Sequence, residues 1–268
     1  WRNTVYIQEG YSFTIYRGEN YEKTIGFFNV HDALCCTCRR CGGGEDQAGG
    51  KAATQKFINI ATGGTAGTYY PLGGAIADIL NKNIPGCNAS AQATGASIAN
   101  INMLQQGQVD IAFIQNDNAY YAVNGTEMFK DKKSYQPLWP GNSDPETIQI
   151  VTLAETGITD LSQVKGKRVA VGAPLGTEAN ARQILAEYGI TYDDINVQYL
   201  SFAEASSALK DGNVDVAFVT AGHPTAAIQD IATQNNVVLL PVAPDKADAL
   251  IAKYPFYTKV NIAANTYN

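Results

Sequence analysis

Two stretches of this chain are near copies of one another. MLQQGQVDIAFIQNDN (Met103 to Asn118) and ALKDGNVDVAFVTAGH (Ala208 to His223) align without gaps at an offset of 105 residues. Six positions are identical: Leu104 with Leu209, Gly107 with Gly212, Val109 with Val214, Asp110 with Asp215, Ala112 with Ala217 and Phe113 with Phe218. Each copy reads as the end of a helix, a glycine suited to a left-handed C-cap, and an apolar run of the kind buried on both faces of a parallel sheet. A duplicated helix–strand unit implies two equivalent α/β halves. The echo extends further, because KRVAVGAPLGTEA repeats the order strand, Gly/Pro loop and helix start found in FINIATGGTAGTYYP.

Apolar periodicity predicts strand 57–61, helix 70–82, strand 88–94, helix 97–106, strand 109–114 and a helix after Asp117 in the first half. The second half is predicted as strand 167–171, helix 177–188, strand 196–200, helix 202–210, strand 214–219, helix 224–234 and strand 237–241. Both are β-α-β-α-β, which implies parallel sheets covered by helices, with any ligand beyond the carboxyl ends of the strands. TIQIVTLAE (Thr147 to Glu155) is the natural crossover strand. The expected organisation is lobe one over 56–146, crossover over 147–155, lobe two over 156–245, and the start of a return to lobe one over 246–268. A cleft between the lobes would be lined by loops 62–69, 95–100 and 115–118 from one side, and by 172–178 and 220–224 from the other.

The loop TGGTAGTYYP (Thr62 to Pro71) reads either as a cradle for an anion or as a tight strand-to-helix turn with no ligand. Its three glycines suit close backbone approach and positive φ, Pro71 fits a helix first turn, and amides at a helix start carry partial positive charge. It lacks the spacing of a dinucleotide fingerprint and the Gly-Lys-Ser/Thr end of a phosphate loop. The other predicted loops offer small, uncharged, hydrogen-bonding side chains, suited to a small polar acid. Asp117 is a candidate for an ammonium group and equally for a helix N-cap, and Ser97 and Glu178 have capping readings of their own.

Composition narrows the classes. The 268 residues are 45% hydrophobic and 16% charged with net charge −6, a balance without a basic run that disfavours nucleic acid. Only His31 and His223 are available to a metal site or catalytic triad. Ser97 or Ser201 with His223 is the one conceivable nucleophile–base pair, and neither serine sits in a G-x-S-x-G elbow. Four of five cysteines crowd into CCTCRRC without zinc-site spacing, so no cofactor or metal is expected. Residues 1 to 55 show no sustained period and end in the tether-like GGGEDQAGGKAATQ. A repeated cysteine codon read one base out of frame encodes leucine, which makes ALCCTCRRCGGG readable as a shifted signal segment, with Cys41 as a lipid-anchor position. Residues 1–50 and 134–146, the latter carrying Pro137, Pro140 and Pro145, are expected to lack regular structure.

INIATGGTAGTYYPLGGAIADILN, GASIANINMLQQGQVDIAFIQND, DLSQVKGKRVAVGAPLGTEA and AGHPTAAI resemble the TAXI family of solute-binding proteins, over about residues 57 to 267. The resemblance implies a two-lobed, type II periplasmic-binding-protein-like fold. It implies a monomeric, extracytoplasmic receptor that closes on glutamate, glutamine or a related dicarboxylate and delivers it to a TRAP-type permease. Carried over by motif, Gly64, Thr65 and Tyr69 fall in the first ligand loop, Ser97 and Asn100 in the second, Gln115 and Asp117 in the third, Thr177 in the fourth, and Gly222 and Pro224 in the fifth. APLGTE departs from the family's Gly-Ser-Gly-Thr-Glu, and relatives continue beyond NIAANTYN to a strand that completes lobe one. The same plan also serves the effector-sensing domain of a transcriptional regulator, and a cleft hydrolase is the third reading.

Overall fold

The computed structural model describes residues 6–9, 11–15, 55–130, 140–141, 146–174 and 176–267. The order of strands and helices is β1 (Tyr6–Glu9), β2 (Tyr11–Ile15), β3 (Lys56–Ala61), α1 (Tyr69–Asn83), β4 (Cys87–Gln92), α2 (Ser97–Gln105), β5 (Ile111–Gln115) and α3 (Asn116–Asn124). It continues with β6 (Pro140–Gly141), β7 (Glu146–Leu153), β8 (Arg168–Ala170), α4 (Thr177–Glu187), β9 (Asn196–Gln198) and α5 (Phe202–Lys210). The chain then forms β10 (Val216–Ala221), α6 (Ala226–Ala232), β11 (Val237–Leu239), α7 (Pro244–Lys253) and β12 (Tyr257–Val260). The predicted β-α-β-α-β order is present in each half.

The strands form two sheets. One runs β4-β3-β5-β2-β6, and the other runs β12-β1-β7-β10-β8-β9 with β11 also paired to β7. The repeat units supply the parallel pairs, β3 with β4 and β5 in the first sheet, and β8 with β9 and β10 in the second. Strands β1, β2 and β7 pair antiparallel, so the sheets are mixed.

The identical positions of the repeat do identical jobs. Gly107 and Gly212 both sit at φ +66°, where a side chain would be strained. In each copy the chain reverses into its strand and the aspartate clamps a neighbour. Asn59 N donates to Asp110 Oδ2 at 2.8 Å in the first lobe, and Arg168 N donates to Asp215 Oδ2 at 2.8 Å in the second. The Asp215 carboxyl lies below its usual range, chiefly because the Arg168 side chain also donates to it. The identical leucine, valine, alanine and phenylalanine pairs are all buried.

Three expectations are corrected. Residues 1 to 50 were expected to lack regular structure, yet β1 pairs with β7 and β12, and β2 lies between β5 and β6. YIQE and YSFTI are rich in aromatic and β-branched residues that fit a pleated surface, a local signal that the composition of the whole segment hides. The cysteine cluster, including Cys41, lies outside the described residues. Residues 134–146 were expected to be irregular and exposed, but Pro140–Gly141 forms an edge strand on β2, where a missing N–H is tolerated, and Glu146 opens the fully buried β7. Residues 246–268 were assigned to a return toward lobe one; instead α7 contacts α4, and β12 pairs with β1 in the second sheet. The chain passes between the sheets twice, from β1 to β2 and from β6 to β7.

Helix α1 comes very close to its sheet. A methyl group on Gly73 would stand 2.4 Å from Thr62 Cγ2 and 3.4 Å from Ala91 Cβ, so glycine here sets how near α1 can lie to β3 and β4. That contact fixes where the first turn of α1 points, at the cleft.

Candidate functional site

A cavity of about 130 Å³ lies between the two lobes. It is lined from the first lobe by Gly63, Gly64, Gly67, Thr68, Tyr69, Thr94, Gly95, Ala96 and Gln115, and from the second sheet and its helices by Glu146, Ala173, Gly176, Thr177, Ser201, Phe202, Thr220 and Ala221. Four helix starts converge there: Tyr69 is the first residue of α1, Ala96 precedes α2, Thr177 begins α4 and Phe202 begins α5. The first amides of a helix have no partner within it, so the lining is rich in donors suited to an acid group. Among the described residues no lysine, arginine or histidine lines the cavity.

Of the residues expected to bind ligand, Gly64, Tyr69, Gln115 and Thr177 line the cavity. Ser97, Asn100 and Asp117 are buried without lining it. Ser97 Oγ accepts from Gln115 N at 2.9 Å, which ties the start of α2 to the end of β5 in place of an N-cap. Asn100 Nδ2 donates to the carbonyls of Thr62 and Phe113 at 2.6 and 2.7 Å, joining the carboxyl ends of β3 and β5. Thr65 and Pro224 are exposed, and Gly222 N donates to Thr68 Oγ1 at 3.4 Å as a contact between lobes. The glycine loop also differs in detail, since Gly63, Gly64 and Gly67 are absent from the glycines with positive φ. What these glycines supply is room: a Cβ on Gly64 would meet nothing within 4 Å.

A buried polar network joins the lobes beside the cavity, and its centre is Asn180, which sequence reasoning missed. Asn180 Nδ2 donates to Asp117 Oδ2 at 3.1 Å and to Tyr257 Oη at 3.0 Å, while its Oδ1 accepts from Gln115 Nε2 at 3.2 Å and Thr220 Oγ1 at 3.0 Å. Tyr257 Oη donates to Gln183 Oε1 at 2.5 Å, and Gln183 Nε2 donates to Tyr121 Oη at 2.6 Å. The lobes touch so closely here that a methyl on Gly176 would fall 2.6 Å from Gln115 Oε1. A polar residue on the buried face of α4 was the available signal.

Glu146 was missed as well. It is 3% exposed, lines the cavity and accepts a hydrogen bond from Tyr69 Oη at 3.1 Å. Its carboxyl is held well above the usual range, first by burial and further by the negative charge of Asp117, against the lowering effect of the Tyr69 hydroxyl. An acid at the head of an otherwise uncharged buried strand, ETIQIVTL, is the signal that points to it.

Among the described residues neither Ser97 nor Ser201 is hydrogen-bonded to His223. His223 Nδ1 lies 3.1 Å from Thr147 Oγ1, and Ser201 forms a capping box with Glu204 at the start of α5. Among the described residues no group of three or more His, Cys, Asp or Glu is placed to hold a metal, and no helix is long and apolar enough to cross a membrane.

Comparison with known proteins gives two results. A family model described as the NMT1-like family matches residues 60–268. Among solved structures, the binding protein component of an ABC phosphonate transporter from Pseudomonas aeruginosa superposes with a TM-score of 0.50 at 13% identity, covering 75% of this chain and 74% of its own. The alkanesulfonate-binding protein SsuA from Xanthomonas axonopodis pv. citri, bound to MOPS, gives 0.49 at 16% identity over 75% and 71%. At these identities the likeness concerns the two-lobed α/β binding-protein fold.

Proposed function

The chain belongs to the NMT1-like family, and on that premise we propose that it is an extracytoplasmic solute-binding receptor that encloses a small organic acid between its lobes and delivers it to a membrane transporter. The observation that carries this reading is the cavity of about 130 Å³ at which four helix starts from two lobes converge, with no basic side chain among the described residues that line it. Space of that size suits a solute of on the order of ten non-hydrogen atoms. The acid is held by amides and hydroxyls, in the size range of glutamate, glutamine and related dicarboxylates. The similarity of the glycine loop and its Tyr-Tyr-Pro to TAXI proteins supports a TRAP-type permease as the partner, while the solved relative from Pseudomonas aeruginosa is described as part of an ABC transporter. Co-purification of tagged receptor with each class of permease decides between the two.

Calorimetric titration with amino acids, dicarboxylates, sulfonates and phosphonates tests the receptor reading. We expect saturable one-to-one binding of a small acid. Gly64→Trp, which adds bulk at an open position on the lining, should weaken that binding about tenfold or more while leaving the melting temperature near that of the wild type. Arg182→Ala removes a half-exposed side chain paired with Glu178 and Glu127 away from the cavity, and should change little. Loss of binding in Arg182→Ala with full retention in Gly64→Trp would place the site elsewhere.

A further inference from the structure

The receptor reading leaves open which kind of acid enters, and one buried carboxyl bears on that choice. Glu146 is the only aspartate or glutamate among the described residues lining the cavity. Tyr69 Oη donates to its Oε2, and among the described residues no hydrogen bond reaches Oε1. Among the described residues the lining supplies no lysine, arginine or histidine as a counter-ion. A carboxyl in such surroundings keeps a proton or finds a cation. The Tyr69 hydroxyl is spent as a donor to it, an arrangement that stabilises the ionised form.

A second acceptor stands in the same lining. Among the described residues Gln115 Oε1 receives only long hydrogen bonds, from Ser97 Oγ at 3.3 Å and Asn118 Nδ2 at 3.4 Å. The remaining lining is dominated by donors, namely the helix starts and the glycine loop. The cavity thus combines groups for a carboxylate with two acceptors that its side chains satisfy only in part, Glu146 through one oxygen and Gln115 Oε1 through long hydrogen bonds. A solute bearing a carboxylate and an ammonium group meets both demands, because the ammonium offers three donors and the missing positive charge.

We infer that Glu146 is a ligand-binding residue that selects a solute carrying an ammonium group beside its acid group, an amino acid in preference to its oxo or desamino counterpart. This rests on the receptor reading and narrows it.

Titration of L-glutamate and L-glutamine against glutarate and 2-oxoglutarate, which lack the amino group, tests the inference on the wild-type chain. We expect the better of the two amino acids to bind about tenfold tighter or more than either counterpart, the effect of one charge-assisted hydrogen bond. Glu146→Gln should erase that preference while keeping the weaker binding of the counterparts. Tyr69→Phe leaves the carboxyl in place and should retain the preference at a smaller margin, which separates loss of the charge from loss of its support. Binding of glutarate or 2-oxoglutarate as tight as that of the amino acids in the wild type overturns the inference and leaves the receptor reading intact. So does a preference that survives in Glu146→Gln. If no small acid binds the wild-type chain, the receptor reading falls and this inference falls with it. The wild-type comparison needs no variant to fold.

Discussion

Replacing Asn180 with alanine is expected to destabilise the protein by about 3 kcal/mol, lowering the melting temperature by roughly 6–12 °C. Asn180 is fully buried and bonds Gln115 and Asp117 of the first lobe together with Thr220 and Tyr257 of the second. Truncation removes both ends of the amide at once. Buried donors on Gln115 and Thr220 lose an acceptor, the Asp117 carboxyl loses a donor, and each such loss costs about 1–3 kcal/mol. Asn180→Asp is expected to be worse at neutral pH than at acid pH, because it sets a second carboxyl against Asp117. Calorimetric melts of the two variants beside the wild type check this. A shift of less than about 2 °C in Asn180→Ala would mean that the network does not hold the lobes together.

The second large effect concerns pH and Glu146. Its carboxyl titrates well above the usual range in the folded protein, first because it is buried and then because of Asp117. In the unfolded chain it loses its proton in the ordinary glutamate range, near about 4.3. Above that range the unfolded state gains by ionising while the folded state still holds the proton. Glu146 is therefore neutral in effect below the ordinary range, and it destabilises the ligand-free fold progressively as pH rises toward its raised value. The groups facing it are the Tyr69 hydroxyl and Asp117, with no basic side chain among the described residues of the lining. Glu146→Gln should thus melt with the wild type near pH 4 and several degrees above it at pH 8. A variant less stable than the wild type at pH 8 would show that the carboxyl is compensated in a way the buried geometry does not reveal.

Much of this was legible in the sequence because local rules and the fold agree. The repeat named the helix ends, the left-handed glycines and the buried strands, and the structure adds why the repeated aspartates are there: each clamps the neighbouring parallel strand. The glycine loop was recognised as a donor-rich helix start, although its glycines serve space and not positive φ. Residues whose roles depend on distant partners were harder. Ser97, Asn100 and Asp117 were expected in ligand loops, whereas their side chains are turned to the joints between strand ends and lobes. Asn180 and Gln183 look like ordinary polar positions of a helix until α4 is set against β5, β10 and β12. Glu146 was hidden by the prolines before it, and β1 and β2 by the unpatterned segment that follows them. In these cases long-range pairing decided the structure, and no short window of sequence contains the partner.

The most direct test of the central claim, that amides of two lobes close around one small acid, is hydrogen–deuterium exchange read by mass spectrometry with and without saturating L-glutamate. The first amides of α1, α2 and α4 have no partner inside their helices, and at α5, where the capping box holds Ser201 N and Glu204 N, those of Phe202 and Ala203 have none; these amides should exchange quickly in the free protein. Bound ligand should slow exchange in peptides covering 63–69 and 95–98 from the first lobe and 176–178 and 201–203 from the second, all within one experiment. Protection confined to one lobe, or centred on the exposed Thr65 and Pro224 with none at 176–178, would contradict the enclosed, two-sided site.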